Sequence, residues 1–245
     1  MILVLWDIDR TLVYTGEIDR RVYREAFEDV VGRIPEALPA KGTGLTMPLA
    51  VRELLVANSV PADRIDELAV RIVEQLPRRL AAYRDLVARD GVVLPGALEA
   101  LAAIHRAGHL LPSVVTGNLQ GNAEVKLSAF GLDRYLDTST GAYASDDAHR
   151  PSLVRIAQTR AAAAYGGSFD RGTTVIIGDS LQDVITGQEG GARVIGVASG
   201  TTSAQRLKDA GADHVLSDLT HVRELLEILT AWAAEPVDRE RGTSP

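Results

Sequence analysis

Asp7 and Asp9 stand two residues apart at the end of an unbroken apolar run, Ile2-Leu-Val-Leu-Trp6, and the hydroxyl of Thr11 follows them. Three more groups of chemistry-bearing residues sit near strand ends or helix starts: Thr116 after Leu110–Val115, Arg150 before Pro151, and Asp179 with Asp183 after Thr173–Ile177. Each has a plain structural reading. Asp7 and Asp9 could cap a turn, Thr116 could be an N-cap, Arg150 a solvated charge, and Asp183 a capping residue. Taken together they point to chemistry. Four carboxylates at one sheet edge repel unless a cation neutralises them. An all-oxygen cluster suits Mg²⁺ rather than Zn²⁺. A hydroxyl beside backbone N–H groups at a helix start, and a guanidinium, both suit phosphate oxygens. Acids, Mg²⁺, a hydroxyl and a cation are the parts phosphoryl transfer uses, because its catalysis is mainly positioning and charge neutralisation.

These residues need a scaffold that brings strand ends together, and the patterning supplies one. The first apolar run suits a buried parallel strand, and ligands of open α/β sheets sit beyond the carboxyl ends of such strands. Val22, Tyr23, Ala26, Phe27 and Val30 form one helix face, ended by Gly32 and Pro35. A second helix is expected over about Pro48–Ala57. A third, N-capped by Asp63, runs through Ile65, Leu68, Ala69, Ile72 and Val73, and Pro77 kinks or restarts it on the way to about Ala88. No strand is evident between Gly16 and Ala88.

Alternation resumes at Pro95, which opens a helix that Gly108 follows. Strands are expected at Leu110–Val115, with Pro112 near its beginning, and at about Tyr135–Thr138, Thr173–Ile177, Arg193–Val197 and His214–Leu216. Helices separate them: one closed by Gly131, one over about Ser152–Ala164, a short one after Asp183, and one ending at Gly211. A last helix covers about Val222–Ala234. The fold class is therefore α/β, a doubly wound, mostly parallel Rossmann-like sheet with an inserted all-helical domain. The expected division is a core of residues 1–15 and 89–234, a helical insertion at 16–88, and a charged, disordered tail at 235–245.

Composition narrows the function classes. With 245 residues and only 4% aromatics, the core is aliphatic. A net charge of −7 argues against nonspecific nucleic-acid binding, which needs a basic footprint. The absence of cysteine removes disulfides, thiolate metal sites and cysteine nucleophiles. The N-terminal run lacks a basic flank and breaks at Asp7, so it is not read as a signal peptide, and no stretch approaches the ~20 apolar residues of a membrane span. The expectation is a soluble, cytoplasmic protein without a membrane partner, its oligomeric state unread.

Asp7-Ile-Asp9-Arg-Thr11, Thr116-Gly-Asn118, Arg150-Pro151 and Gly178-Asp179-Ser-Leu-Gln-Asp183 resemble, in order, the four motifs of the haloacid dehalogenase superfamily. The helical block resembles the small cap of its phosphoglycolate phosphatase and β-phosphoglucomutase branch. The resemblance implies that Asp7 is a nucleophile forming an aspartyl-phosphate, and that Asp9 is a general acid, then base. It implies Mg²⁺ held by Asp7, the Asp9 carbonyl and Asp179, with Asp183 ordering metal-bound water. Thr116, Gly117 and Asn118 would bind phosphoryl oxygens, and Arg150 would neutralise charge. Asp9 favours phosphate esters over halides, since a halide leaving group needs no proton. The implied activity is hydrolysis of a small phosphorylated metabolite; a sugar phosphomutase and a catalytically idle binding protein remain alternatives.

Two positions depart from the pattern. Arg150 stands where Lys is usual, with Lys126 as the other basic candidate, and Arg10 stands where many relatives have Gly. A guanidinium fork and an ammonium point charge are not interchangeable. In the helical block, Gly42-Thr43-Gly44-Leu45-Thr46 is the candidate specificity loop, with Thr43 as substrate contact, although an ordinary helix connection would look the same. It is not a P-loop, because Lys41 precedes the glycines and no Gly-Lys-Ser/Thr follows.

Overall fold

The computed structural model describes residues 1–40 and 42–235; the proposed tail beyond Glu235 lies outside the described residues. Among these, six parallel strands form one sheet: β1 (Ile2–Trp6), β4 (Leu110–Thr116), β5 (Ala142–Tyr143), β6 (Thr174–Gly178), β7 (Arg193–Val197) and β8 (His214–Leu216), in the order β5-β4-β1-β6-β7-β8. All five residues of β1 are buried because the strand is central and covered on both faces. Ile2, Val4 and Trp6 pack with α5 (Ala97–Arg106) and α10 (Val222–Ala234) on one face. Leu3 and Leu5 pack with α7 (Arg150–Tyr165) and α8 (Leu181–Gly190) on the other. The chain winds outward from β1 in both directions, so Asp7 and Asp9 emerge at the topological switch point, where open α/β sheets bind ligands.

Four helices lie between β1 and α5: α1 (Gly16–Val31), α2 (Met47–Ala57), α3 (Ala62–Ala82) and α4 (Arg84–Asp90). They share an apolar cluster of their own, including Val22, Phe27, Leu54, Leu76 and Leu80, joined by Leu119 and Ala144 from the sheet side. Burying each such leucine is worth about 1.5–3 kcal/mol. The helices leave and rejoin the sheet through a short antiparallel pair, β2 (Val13–Tyr14) against β3 (Val92–Val93). Two residues per strand are too few to show a period in sequence, so this pair went unanticipated.

Other differences have local causes. Pro61, not Asp63, precedes the helix; Asp63 lies in its first turn. α3 continues through Pro77, and the break falls at Tyr83 instead. The strand expected near residues 135–138 is a 3₁₀ turn at Asp133–Tyr135, and the edge strand comes later, at Ala142–Tyr143. α7 begins at Arg150, two residues before the expected start, with Pro151 in its first turn. Pro112 is tolerated as the third residue of β4. Its carbonyl accepts from Asp137 N at 2.8 Å and therefore faces away from β1, and β5 reaches only Val115 and Thr116, so no ladder donor is required there.

α6 (Gln120–Ala129) and α9 (Ala204–Asp209) complete the helices that surround the sheet. No helix among the described residues is long and apolar enough to cross a membrane.

Candidate active site

Beyond the carboxyl ends of β1, β4 and β6, a cavity is lined by Asp7, Asp9, Thr116, Gly117, Asn118, Arg150 and Asp179, and on the helical side by Thr43, Gly44, Leu45 and Met47. Asp183 lies just beneath, fully buried. The structure thus brings together every residue singled out from the motifs. Thr43 reaches the cavity wall, and its hydroxyl accepts from Leu45 N at 3.4 Å.

Asp7, Asp179 and Asp183 each offer a carboxylate oxygen, and these oxygens lie within 4.8 Å of one another. Burial, reinforced by the Asp183 charge, holds the Asp7 carboxyl well above the usual carboxylate range, against the opposing pull of Arg150. Burial and the same Asp183 charge push Asp179 up to about 7. Asp183 is committed locally: its Oδ2 accepts from Ser180 N at 2.9 Å and Ser180 Oγ at 2.6 Å, the capping box of α8. Its Oδ1 accepts from Arg150 Nη2 at 2.5 Å.

Among the described residues, Asp179 Oδ2 is buried without a hydrogen-bond partner. A Cβ at Gly200 would lie 1.6 Å from that oxygen, so a side chain there would displace the carboxylate. Three buried acids, one guanidinium and an orphaned carboxylate oxygen form a hard oxygen site that fits a small divalent cation such as Mg²⁺.

Arg150 is the hub of the site. One Nη2 serves both Asp7, at 2.8 Å, and Asp183, while Nη1 donates to Gly44 O at 2.6 Å, in the loop between α1 and α2. An ammonium is a single point and cannot span these three acceptors as a planar fork does. Two further bonds seat that loop: Met47 N donates to Gly117 O at 2.7 Å, and Thr46 Oγ1 to Ala148 O at 2.8 Å. Gly44 has φ +69°, a conformation that favours glycine, and a side chain there would meet Ser180 Oγ at 2.5 Å.

Thr116 is fully buried, and its Oγ1 accepts from Asn118 N at 3.2 Å and Asn118 Nδ2 at 2.9 Å. Arg10 takes φ +63°, where a glycine would be unstrained, and lays its guanidinium 4.8 Å over the Tyr14 ring.

Sequence reasoning set Lys126 aside as an alternative partner for the nucleophile. The structure separates it from Asp7 and places it on Asp9 instead: Nζ donates to Asp9 Oδ1 at 2.7 Å and Oδ2 at 2.9 Å. Burial disfavours its charge, but Asp19 and Asp9 overrule this and hold the ammonium above its ordinary value. The only signal in the sequence was a lysine on the inward face of its helix, with Asn122, Ala123 and Leu127.

Comparisons with known proteins agree with this architecture. Residues 4–186 match the haloacid dehalogenase-like hydrolase family. The chain is 27% identical over 239 residues to a probable phosphatase, IndB, of Dickeya dadantii, covering 96% of this chain and 97% of that one. It is 28% identical over 245 residues to a phosphoglycolate phosphatase of Caulobacter vibrioides, covering 94% and 93%. Among solved structures, a hydrolase from Pseudomonas syringae superposes with a TM-score of 0.68 at 22% identity, covering 93% of this chain and 98% of that one, and shares the fold. The four motifs, the switch-point cavity and the family match over most of the sheet make this chain a member of the haloacid dehalogenase-like hydrolase family.

Proposed function

We propose that the chain hydrolyses a small phosphomonoester through an aspartyl-phosphate on Asp7. The observation that carries this reading is the convergence of Asp7, Asp9, Thr116 and Arg150 on one cavity at the sheet's switch point. An Asp7 carboxylate oxygen attacks phosphorus, and the bond from phosphorus to the ester oxygen breaks. Asp9 gives its proton to the departing alkoxide, then takes one from the water that cleaves the aspartyl-phosphate, releasing phosphate and regenerating both acids. The Thr116 hydroxyl with the Gly117 and Asn118 amides binds phosphoryl oxygens. Arg150 orients Asp7 and offsets its charge. Asp7, the Asp9 carbonyl and Asp179 would hold Mg²⁺, with Asp183 acting through an ordered water; the bound ion would neutralise charge between the nucleophile and the phosphoryl group.

The helices of residues 16–88 serve as the cap over this cavity, and Thr43 contacts the part of the substrate that leaves with the alcohol. Support comes from the three bonds that seat the Gly44–Met47 segment on the sheet side.

The test is phosphate release from a panel of phosphomonoesters by the purified protein, with Mg²⁺ and with a chelator. Metal-dependent release is expected. Isomerisation of a sugar phosphate without release would favour a mutase, and no turnover across the panel would overturn the enzymatic reading. Arg150→Lys preserves charge but gives up the fork. Steady-state kinetics on the best substrate are expected to show a loss in kcat/KM on the order of tenfold to a hundredfold, the usual consequence of a small misplacement of reacting groups. Unchanged kinetics would remove Arg150 from the machinery.

A further inference from the structure

Lys126 on α6 has no exposed side-chain surface, yet its ammonium sits between two acids from different layers of the molecule. Asp9, at the edge of the sheet, presents both carboxylate oxygens to it, at 2.7 and 2.9 Å. Asp19, on α1 of the helical block, presents Oδ2 at 3.0 Å, and Asn118 presents Oδ1 at 3.0 Å. An ammonium carries three protons, and three groups receive them. The ring of bonds is closed on both sides. Asn118 Nδ2 donates to Asp9 Oδ2 at 2.8 Å, and Thr15 Oγ1 donates to Asp19 Oδ2 at 2.9 Å.

A lysine needed only to anchor α6 against α1 would require Asp19 alone. This one also grips both oxygens of Asp9, whose side chain is 40% exposed in the cavity wall and which Asn118 alone would hold by a single oxygen. A buried ammonium is tolerated because it is paired, and pairing to two carboxylates makes its position rigid.

We propose that Lys126 is the positioning residue for Asp9, holding that carboxyl group against the cavity and doing so fully only when α1, through Asp19, is packed down. The assignment rests on Asp9 as the proton donor of the proposed hydrolysis. It predicts an effect that depends on the leaving group. An alkoxide needs a proton as it departs; 4-nitrophenolate is stable enough to leave without one.

The experiment compares kcat and KM for an alkyl phosphate and for 4-nitrophenyl phosphate, using the wild-type chain, Lys126→Met and the charge-balanced double variant Lys126→Met/Asp19→Asn. The double variant removes one charge of each sign, so it serves if the single variant does not fold. Thermal denaturation establishes which variants are folded. For folded variants, kcat/KM reports the transfer of phosphorus to Asp7 and not the later hydrolysis in which Asp9 acts as base. It is expected to fall by about a hundredfold on the alkyl phosphate, the lower end of what a general acid contributes, and to stay within about threefold of wild type on 4-nitrophenyl phosphate. Equal losses in kcat/KM on both esters would reduce Lys126 to a structural anchor and overturn the proposal, as would a kcat/KM on the alkyl phosphate that does not fall. A wild-type chain inactive on both esters would remove the proton-transfer reading, and this assignment with it.

Discussion

Asp7→Asn is expected to abolish phosphate release while leaving the fold at least as stable as before. The amide matches the carboxylate in size, and the position is almost fully buried, so the packing around it is preserved. What is lost is the anionic oxygen proposed to attack phosphorus. Removing a covalent nucleophile costs a factor on the order of 10⁴ or more in kcat. The stability side has an independent cause. Burial and the Asp183 charge hold the Asp7 carboxyl well above the carboxylate range, so its ionised form is a liability to the folded state at neutral pH. Replacing it removes that liability and lessens repulsion with Asp179 and Asp183, while Arg150 keeps its bond to Asp183. Phosphate release and thermal denaturation, measured together at neutral pH, check both halves. Residual turnover near the wild-type rate would sink the nucleophile assignment, and a large fall in the melting midpoint would sink the account of the buried acids.

Mg²⁺ is expected to raise the melting midpoint, and to raise it more at pH 8 than at pH 6. The sign follows from Asp179. Its folded pKa, about 7, lies above its ordinary value of 3.8, so the folded state binds this proton more tightly than the unfolded chain does. That contribution to stability is present below the ordinary value and is lost as the pH climbs through about 7. Asp7 is shifted in the same direction. The metal-free protein is therefore expected to become less stable over this window. A divalent cation needs the same carboxylates ionised, so its affinity rises as the proton leaves. At a hundredfold excess over Kd, binding adds about 2.7 kcal/mol, which for a chain of this size corresponds to roughly 5–10 °C. Thermal denaturation at the two pH values, with Mg²⁺ and with a chelator, reads this directly. The absence of any shift at pH 8 would remove the metal site.

Much of this arrangement is written in short stretches of sequence. The run Ile2–Trp6 is apolar at every position because the strand is covered on both faces, and that property needs no knowledge of the neighbours. The acids at Asp7, Asp9, Asp179 and Asp183, the buried hydroxyl of Thr116 and the basic Arg150 were legible because each ends a strand or opens a helix. The helical insertion was legible as a long absence of strand pattern. Pro77 does not restart the helix, because the proline signal is local, whereas α3 runs through it to Ala82 with Leu76 and Leu80 packed in the helical cluster. The β2–β3 pair carried no period to read.

What the sequence determined by itself, then, is which residues are chemical and which strands and helices carry them, since hydrophobic period, turn chemistry and motif spacing act over a few residues. Only the tertiary structure decided who partners whom. Lys126 meets Asp9 across 117 positions, and Arg150 meets Gly44 across 106. The first pairing forms within the core, between α6 and the end of β1, and the second follows from the docking of the helical block onto the sheet; the direction of a lysine or arginine side chain is set by the groups that surround it after the chain has closed. The two acids that began as neighbours in sequence end with separate keepers: Arg150 on Asp7, Lys126 on Asp9.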